Sequence, residues 1–230
     1  MAWLEFSLGL RLDPIGKASP EALVVLLHDF GDAAATLTCV AARWATTVPT
    51  TAFIAFDRID QLHSPSEPAE LDRVTRHLEP LLEQQLRSYR LDASRLVLVG
   101  FGYGGTLALH MLLHQGVSCV GVVAFAATLA RPLPRVLRVD RKVRLIECAA
   151  DRHIGHGSLR DVVALLTARG IDTRGVLLAG SVLSDQAIRH GGAYLVELVA
   201  TAHGVIDTSS IAPAARSVRR AGRHSPDIPE

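Results

Sequence analysis

Six short apolar runs punctuate the chain, and longer helical patterns separate them. The runs are Ala22-Leu-Val-Val-Leu-Leu-His28, Thr51-Ala-Phe-Ile-Ala-Phe56, Arg95-Leu-Val-Leu-Val-Gly100, Cys119-Val-Gly-Val-Val-Ala-Phe125, Val143-Arg-Leu-Ile-Glu-Cys148 and Gly175-Val-Leu-Leu-Ala179. Runs that stay apolar, instead of alternating with polar residues, suit strands buried on both faces. Between them the pattern predicts helices over Ala33–Thr47, Glu67–Tyr89, Thr106–Gln115, Ser158–Arg169 and Ser184–Ala200. The second carries Leu71, Val74, Leu78, Leu81, Leu82 and Leu86 at helical spacing. Ser158 and Asp161 stand where an N-cap and a first-turn carboxylate belong. Strands alternating with helices predict an α/β fold, a mostly parallel twisted sheet with helices on both faces.

A length of 230 residues suits one domain or two small ones. The pattern predicts a single domain over residues 1–208. From Ser209 the apolar periodicity stops and Arg216, Arg219, Arg220 and Arg223 collect, predicting a flexible tail over 209–230. Apolar residues make up 49% and charged residues 20%, which excludes a disordered chain. Twenty-four Lys and Arg against 23 Asp and Glu leave a formal charge of +1. That balance gives no reason to expect a nucleic acid or an anionic membrane as partner. No apolar run is long enough to span a bilayer, and the N-terminus does not read as a secretory signal. Cys39, Cys119 and Cys148 are scattered and odd in number, so neither a disulfide framework nor a zinc pattern is expected. The expected compartment is the cytoplasm.

The stretch richest in chemistry is Arg95-Leu-Val-Leu-Val-Gly-Phe-Gly-Tyr-Gly-Gly-Thr106, a buried strand, a glycine-dense turn and a helix. A sharp strand-to-helix turn needs small residues around its tip. In the Gly-x-Ser-x-Gly form of that turn a serine stands on the strained tip. Here the five positions are Gly100, Phe101, Gly102, Tyr103 and Gly104, and the tip carries no side chain.

Four segments, in order, resemble the phospholipase/carboxylesterase family of α/β hydrolases, which includes the acyl-protein thioesterases. Leu26-Leu-His-Asp-Phe-Gly-Asp32 is similar to its Leu-His-Gly-x-Gly-Asp oxyanion segment. Leu91-Asp-Ala-Ser-Arg…Gly-Phe-Gly-Tyr-Gly-Gly105 is similar to its nucleophile elbow. Ile146-Glu-Cys-Ala-Ala-Asp151 sits where the family has its triad acid, and Gly180-Ser-Val-Leu-Ser-Asp-Gln-Ala-Ile188 where it has its triad histidine. The resemblance runs from about Ala22 to Val199 and implies the α/β-hydrolase fold and a serine-esterase ancestry. It also implies that the backbone N–H groups of Phe30 and Tyr103 form an oxyanion hole.

The departures from the family coincide with its chemistry. Gly102 stands at the nucleophile position, Ser181 at the histidine position and Asp29 at the glycine after His28; Asp151 alone is retained from the triad. Acyl transfer by this route needs a nucleophile and a base to take its proton. Two N–H donors without a nucleophile bind a carbonyl or carboxylate but do not cleave an ester. Asp29, beside those donors, would repel an anionic substrate. The expectation is a pseudo-hydrolase that binds a small acyl or carbonyl compound or a protein, either as a homo-oligomer or beside an active hydrolase.

The alternative is an active ester or thioester hydrolase with a rearranged or metal-assisted site. Asp151-Arg-His153-Ile-Gly-His156 puts an acid and two imidazoles in one loop, and with His28 and Asp29 these residues could line a pocket or hold a metal. Solvent-facing polar groups are the plainer expectation there, and neither metal nor cofactor is assigned. His110 and His114 have the i, i+4 spacing of a chelate, but Leu107, Leu109, Leu112 and Leu113 surround them, so core-edge histidines are expected. Tyr103 is expected to line or close the pocket mouth, Asp32 to cap the helix from Ala33, and Cys148 to act as a small core hydrophobe.

Overall fold

The computed structural model describes residues 6–17, 19–57, 67–115, 117–135, 140–151, 158–202 and 204. Seven strands form one sheet: β1 (Ser7–Leu12), β2 (Ala22–Leu27), β3 (Thr51–Asp57), β4 (Leu96–Phe101), β5 (Gly121–Phe125), β6 (Lys142–Cys148) and β7 (Asp172–Leu178). Their spatial order is β1-β3-β2-β4-β5-β6-β7. Strands β2 to β7 pair in parallel, and β1 adds to β3 as an antiparallel edge. The sequence reading lacked β1, whose residues are mostly exposed and do not form a closed apolar run.

Five α-helices cover the sheet: α1 (Thr38–Ala45), α2 (Pro68–Tyr89), α3 (Tyr103–His110), α4 (Leu159–Ala168) and α5 (Asp185–Ala202). The apolar runs divide residue by residue between two cores. Leu23, Val25 and Leu27 of β2 face Leu71, Leu78 and Leu107 on the side of α2 and α3. Ala22, Val24 and Leu26 face Val40, Trp44 and Leu198 on the side of α1 and α5. Both faces of the strand are therefore apolar, as an uninterrupted run requires.

Local chemistry sets the helix ends. Ser158 and Asp161 form a reciprocal capping box at the start of α4. The stretch expected as one helix over Ala33–Thr47 is instead a 3-10 turn over Ala34–Leu37 followed by α1. Asp32 does not cap it. Ala33 is the N-cap residue, and the Ala34 N–H donates to Asp57 Oδ1 at 2.9 Å. A carboxylate arriving from the end of β3 meets an orphan donor that the sequence reading had given to a neighbour. The helix expected from Thr106 begins earlier, at Tyr103, and ends in a π-helical turn over Met111–Gln115. The proposed tail over 209–230 lies outside the described residues.

Candidate functional site

A single residue, Gly102, separates the last residue of β4 from the first of α3. Its φ of 52° and ψ of −116° lie where an L side chain is strained. The flanking glycines make the bend compact. A Cβ at Gly100 would overlap the carbonyl of Gly104, and one at Gly104 would overlap that of Leu27. The first turn of α3 is thus pressed against the end of β2. Gly102 N–H donates to the Phe125 carbonyl at 2.8 Å, and Thr106 N–H donates to that of Gly102 at 3.0 Å.

The pairing of Leu27 with Gly100 brings the residues after β2 alongside the tip of this bend. Asp29 reaches into it. Its Oδ1 accepts the backbone N–H of Phe30 at 2.8 Å and that of Tyr103 at 2.7 Å. These are the two donors that the family resemblance assigns to an oxyanion hole. A Cβ built on Gly102 would overlap the Asp29 Cγ and both carboxylate oxygens. The carboxylate therefore stands where a side chain at position 102 would project.

The first N–H of a helix and an adjacent loop N–H offer partial positive charge, and an internal carboxylate takes it. The carboxylate lies in the cradle itself, where a sequence reading had set it beside the cradle. Among the described residues Oδ2 has no hydrogen-bond partner and Asp29 forms no ion pair.

His28 supports the loop from below. It is fully buried, and its Nδ1–H donates to the Asp29 carbonyl at 2.8 Å. That bond fixes the tautomer and leaves Nε2 buried without a partner among the described residues. Phe30 is half exposed, and its ring meets the Tyr103 ring edge-to-face at 6.5 Å. Tyr103, only 6% exposed, packs into the core beneath it.

Asp151 closes a 3-10 turn after β6, and Ser181 is exposed after β7. The Ala150 N–H donates to the Gly180 carbonyl at 3.0 Å, so the two loops adjoin. The Asp151 side chain, His153 and His156 lie outside the described residues, so the pocket roles expected of them belong to that part of the chain. Among the described residues no three His, Cys, Asp or Glu side chains gather as a metal site.

Cys148 is buried at the end of β6 in the core under α1 and α5. His110 is 2% exposed, its Nε2 lies 2.7 Å from Asp72 Oδ1, and its ring stacks on His114 at 4.4 Å. Burial pushes its pKa down, and Asp72 opposes that shift only in part.

The sequence reading missed one feature entirely. Arg144, near the start of β6, is fully buried. It donates to Asp172 Oδ2 at 2.9 Å and to Glu197 Oε1 at 2.6 Å. An arginine between Val143 and Leu145 in a run read as buried on both faces was the available signal, because buried arginines need paired acceptors.

A model of the family described as Phospholipase/Carboxylesterase matches residues 56–138. Solved structures align over most of the chain. Esterase PE8 superposes with a TM-score of 0.69 at 21% identity, covering 83% of this chain and 99% of its own. The Bacillus cereus carboxylesterase gives 0.68 at 15%, covering 82% and 93%. A phospholipase/carboxylesterase from Dyadobacter fermentans gives 0.66 at 17%, covering 85% and 99%. The chain has the fold of an α/β hydrolase. No curated protein matches it. The matched stretch contains the elbow but neither the loop that carries Asp29 nor the positions of Asp151 and Ser181. Among the described residues no helix is long and apolar enough to cross a membrane.

Proposed function

We propose that this chain is an α/β-hydrolase-fold protein that does not cleave esters by the serine route and works by binding. One observation carries the reading. The Asp29 carboxylate occupies the space of a residue-102 side chain and takes both oxyanion donors on one oxygen. A nucleophilic serine would need that space, and a tetrahedral intermediate would need those donors. Gly102 supplies no nucleophile, and Ser181 cannot serve as a base near neutral pH. The preserved bend and sheet support a scaffold kept for recognition, since fold and activity separate readily.

The test is labelling of the purified full chain with a serine-directed fluorophosphonate, alongside hydrolysis of p-nitrophenyl butyrate. No covalent adduct and no turnover above the uncatalysed rate are expected. A stoichiometric adduct on any serine, or saturable turnover, overturns the reading. Turnover abolished by a chelator would favour the metal-assisted alternative.

A further inference from the structure

We infer that the site has changed sign and takes a primary ammonium on a short apolar chain in place of an acyl oxyanion. The inference rests on the reading of a site without serine hydrolysis and names its ligand class. In a serine hydrolase the crest of this bend offers positive partial charge to a developing oxyanion. Here Asp29 Oδ1 has consumed both donors, through bonds of 2.8 and 2.7 Å from Phe30 and Tyr103. The same carboxylate presents a second oxygen, Oδ2, that no described residue satisfies.

The group is half-buried and forms no ion pair among the described residues. The loop that holds it, Leu27-His-Asp-Phe-Gly-Asp32, contains two carboxylates and neither lysine nor arginine. The His28 Nδ1–H is committed to the Asp29 backbone carbonyl and not to its carboxylate. A carboxylate in partly excluded water attracts a cation more strongly than an exposed one does. An N–H⁺ donor would satisfy Oδ2 by a charge-assisted hydrogen bond. The adjoining Phe30 ring, 50% exposed and braced edge-on by Tyr103, offers an apolar and cation-attracting face to the rest of such a ligand. An acyl carboxylate arriving at the same point would meet a like charge and find no free donor.

The experiment is a titration of the ¹⁵N-labelled full chain with butylammonium chloride and, separately, with sodium butyrate, following the Phe30 and Tyr103 amide resonances. Asp29→Asn serves as the comparison, since its amide oxygen still accepts the two N–H bonds while the charge is gone. The expected result is saturable shifts with butylammonium, binding at least tenfold weaker for butyrate, and at least tenfold weaker ammonium binding in Asp29→Asn. Butyrate binding as tightly as butylammonium, undiminished ammonium binding in Asp29→Asn, or no shift with either probe overturns the inference. A silent titration together with absent fluorophosphonate labelling removes the ligand class and leaves the proposed function standing. Labelling removes the function whatever the titration shows.

Discussion

A serine at position 102 would compete with Asp29 for one volume, and its backbone would sit at a φ of 52° that glycine alone adopts freely. Gly102→Ser is therefore expected to lower stability by about 1–3 kcal/mol, read as a shift in the urea midpoint. It is also expected to stay unreactive towards a fluorophosphonate. Adding Asp29→Gly relieves the overlap, so the double variant should regain part of the lost stability; a double variant no more stable than Gly102→Ser would show that the carboxylate yields easily. Both departures are visible in the sequence, but as separate facts. What joins them is the pairing of Leu27 with Gly100, which brings Asp29 to a donor 74 residues away. Nothing in local periodicity encodes that distance. The bare tip was legible, and its occupation by a carboxylate was not.

Elements follow the apolar pattern where both faces of a strand are buried, and depart from it at edges and caps. Strand β1 escaped because an exposed antiparallel edge needs no continuous apolar run. Helix α3 starts at Tyr103, whose N–H is satisfied by the Asp29 carboxylate from the loop after β2. Helix α5 illustrates the competition between propensity and packing. Trp44, Phe101 and Phe125 stack beneath it, with Phe101 and Phe125 centroids 4.5 Å apart. A Cβ at Gly191 would overlap the tip of Phe125 and lie 3.0 Å from Trp44 Cζ2. Alanine would favour the helix by about 1 kcal/mol, whereas overpacking against rings that cannot swing away costs about 1–3 kcal/mol. Gly191→Ala should therefore lower the Tm, and an unchanged or higher Tm would show that the stack can slide.

Across the whole molecule, Arg144 ties β6 to β7 through Asp172 and to α5 through Glu197. Burial alone would raise both carboxyls. The hydrogen bonds and charge of Arg144, aided by Lys142 and Arg174, outweigh it and hold both below their usual range. Depressed folded-state values mean stability that is present above the unfolded pKa and lost as pH falls, here from about pH 5 downward. Arg144→Met should cost about 3 kcal/mol or more at pH 7, because it leaves two carboxylates without their main partner. It should also flatten the decline between pH 5 and pH 3, measured as urea midpoints across that range. A parallel decline in the variant would place the acid sensitivity elsewhere.

The same clasp has a consequence for how such a molecule changes over generations. It grips β7 at Asp172, at the opposite end of that strand from the loop bearing Ser181, and its other acceptor, Glu197, lies in the second half of the following helix. Architecture is thus secured at one rim of the sheet and chemistry displayed at the other. A substitution in the loops at that other rim, such as those bearing Asp29 and Ser181, can therefore leave the clasp beneath untouched.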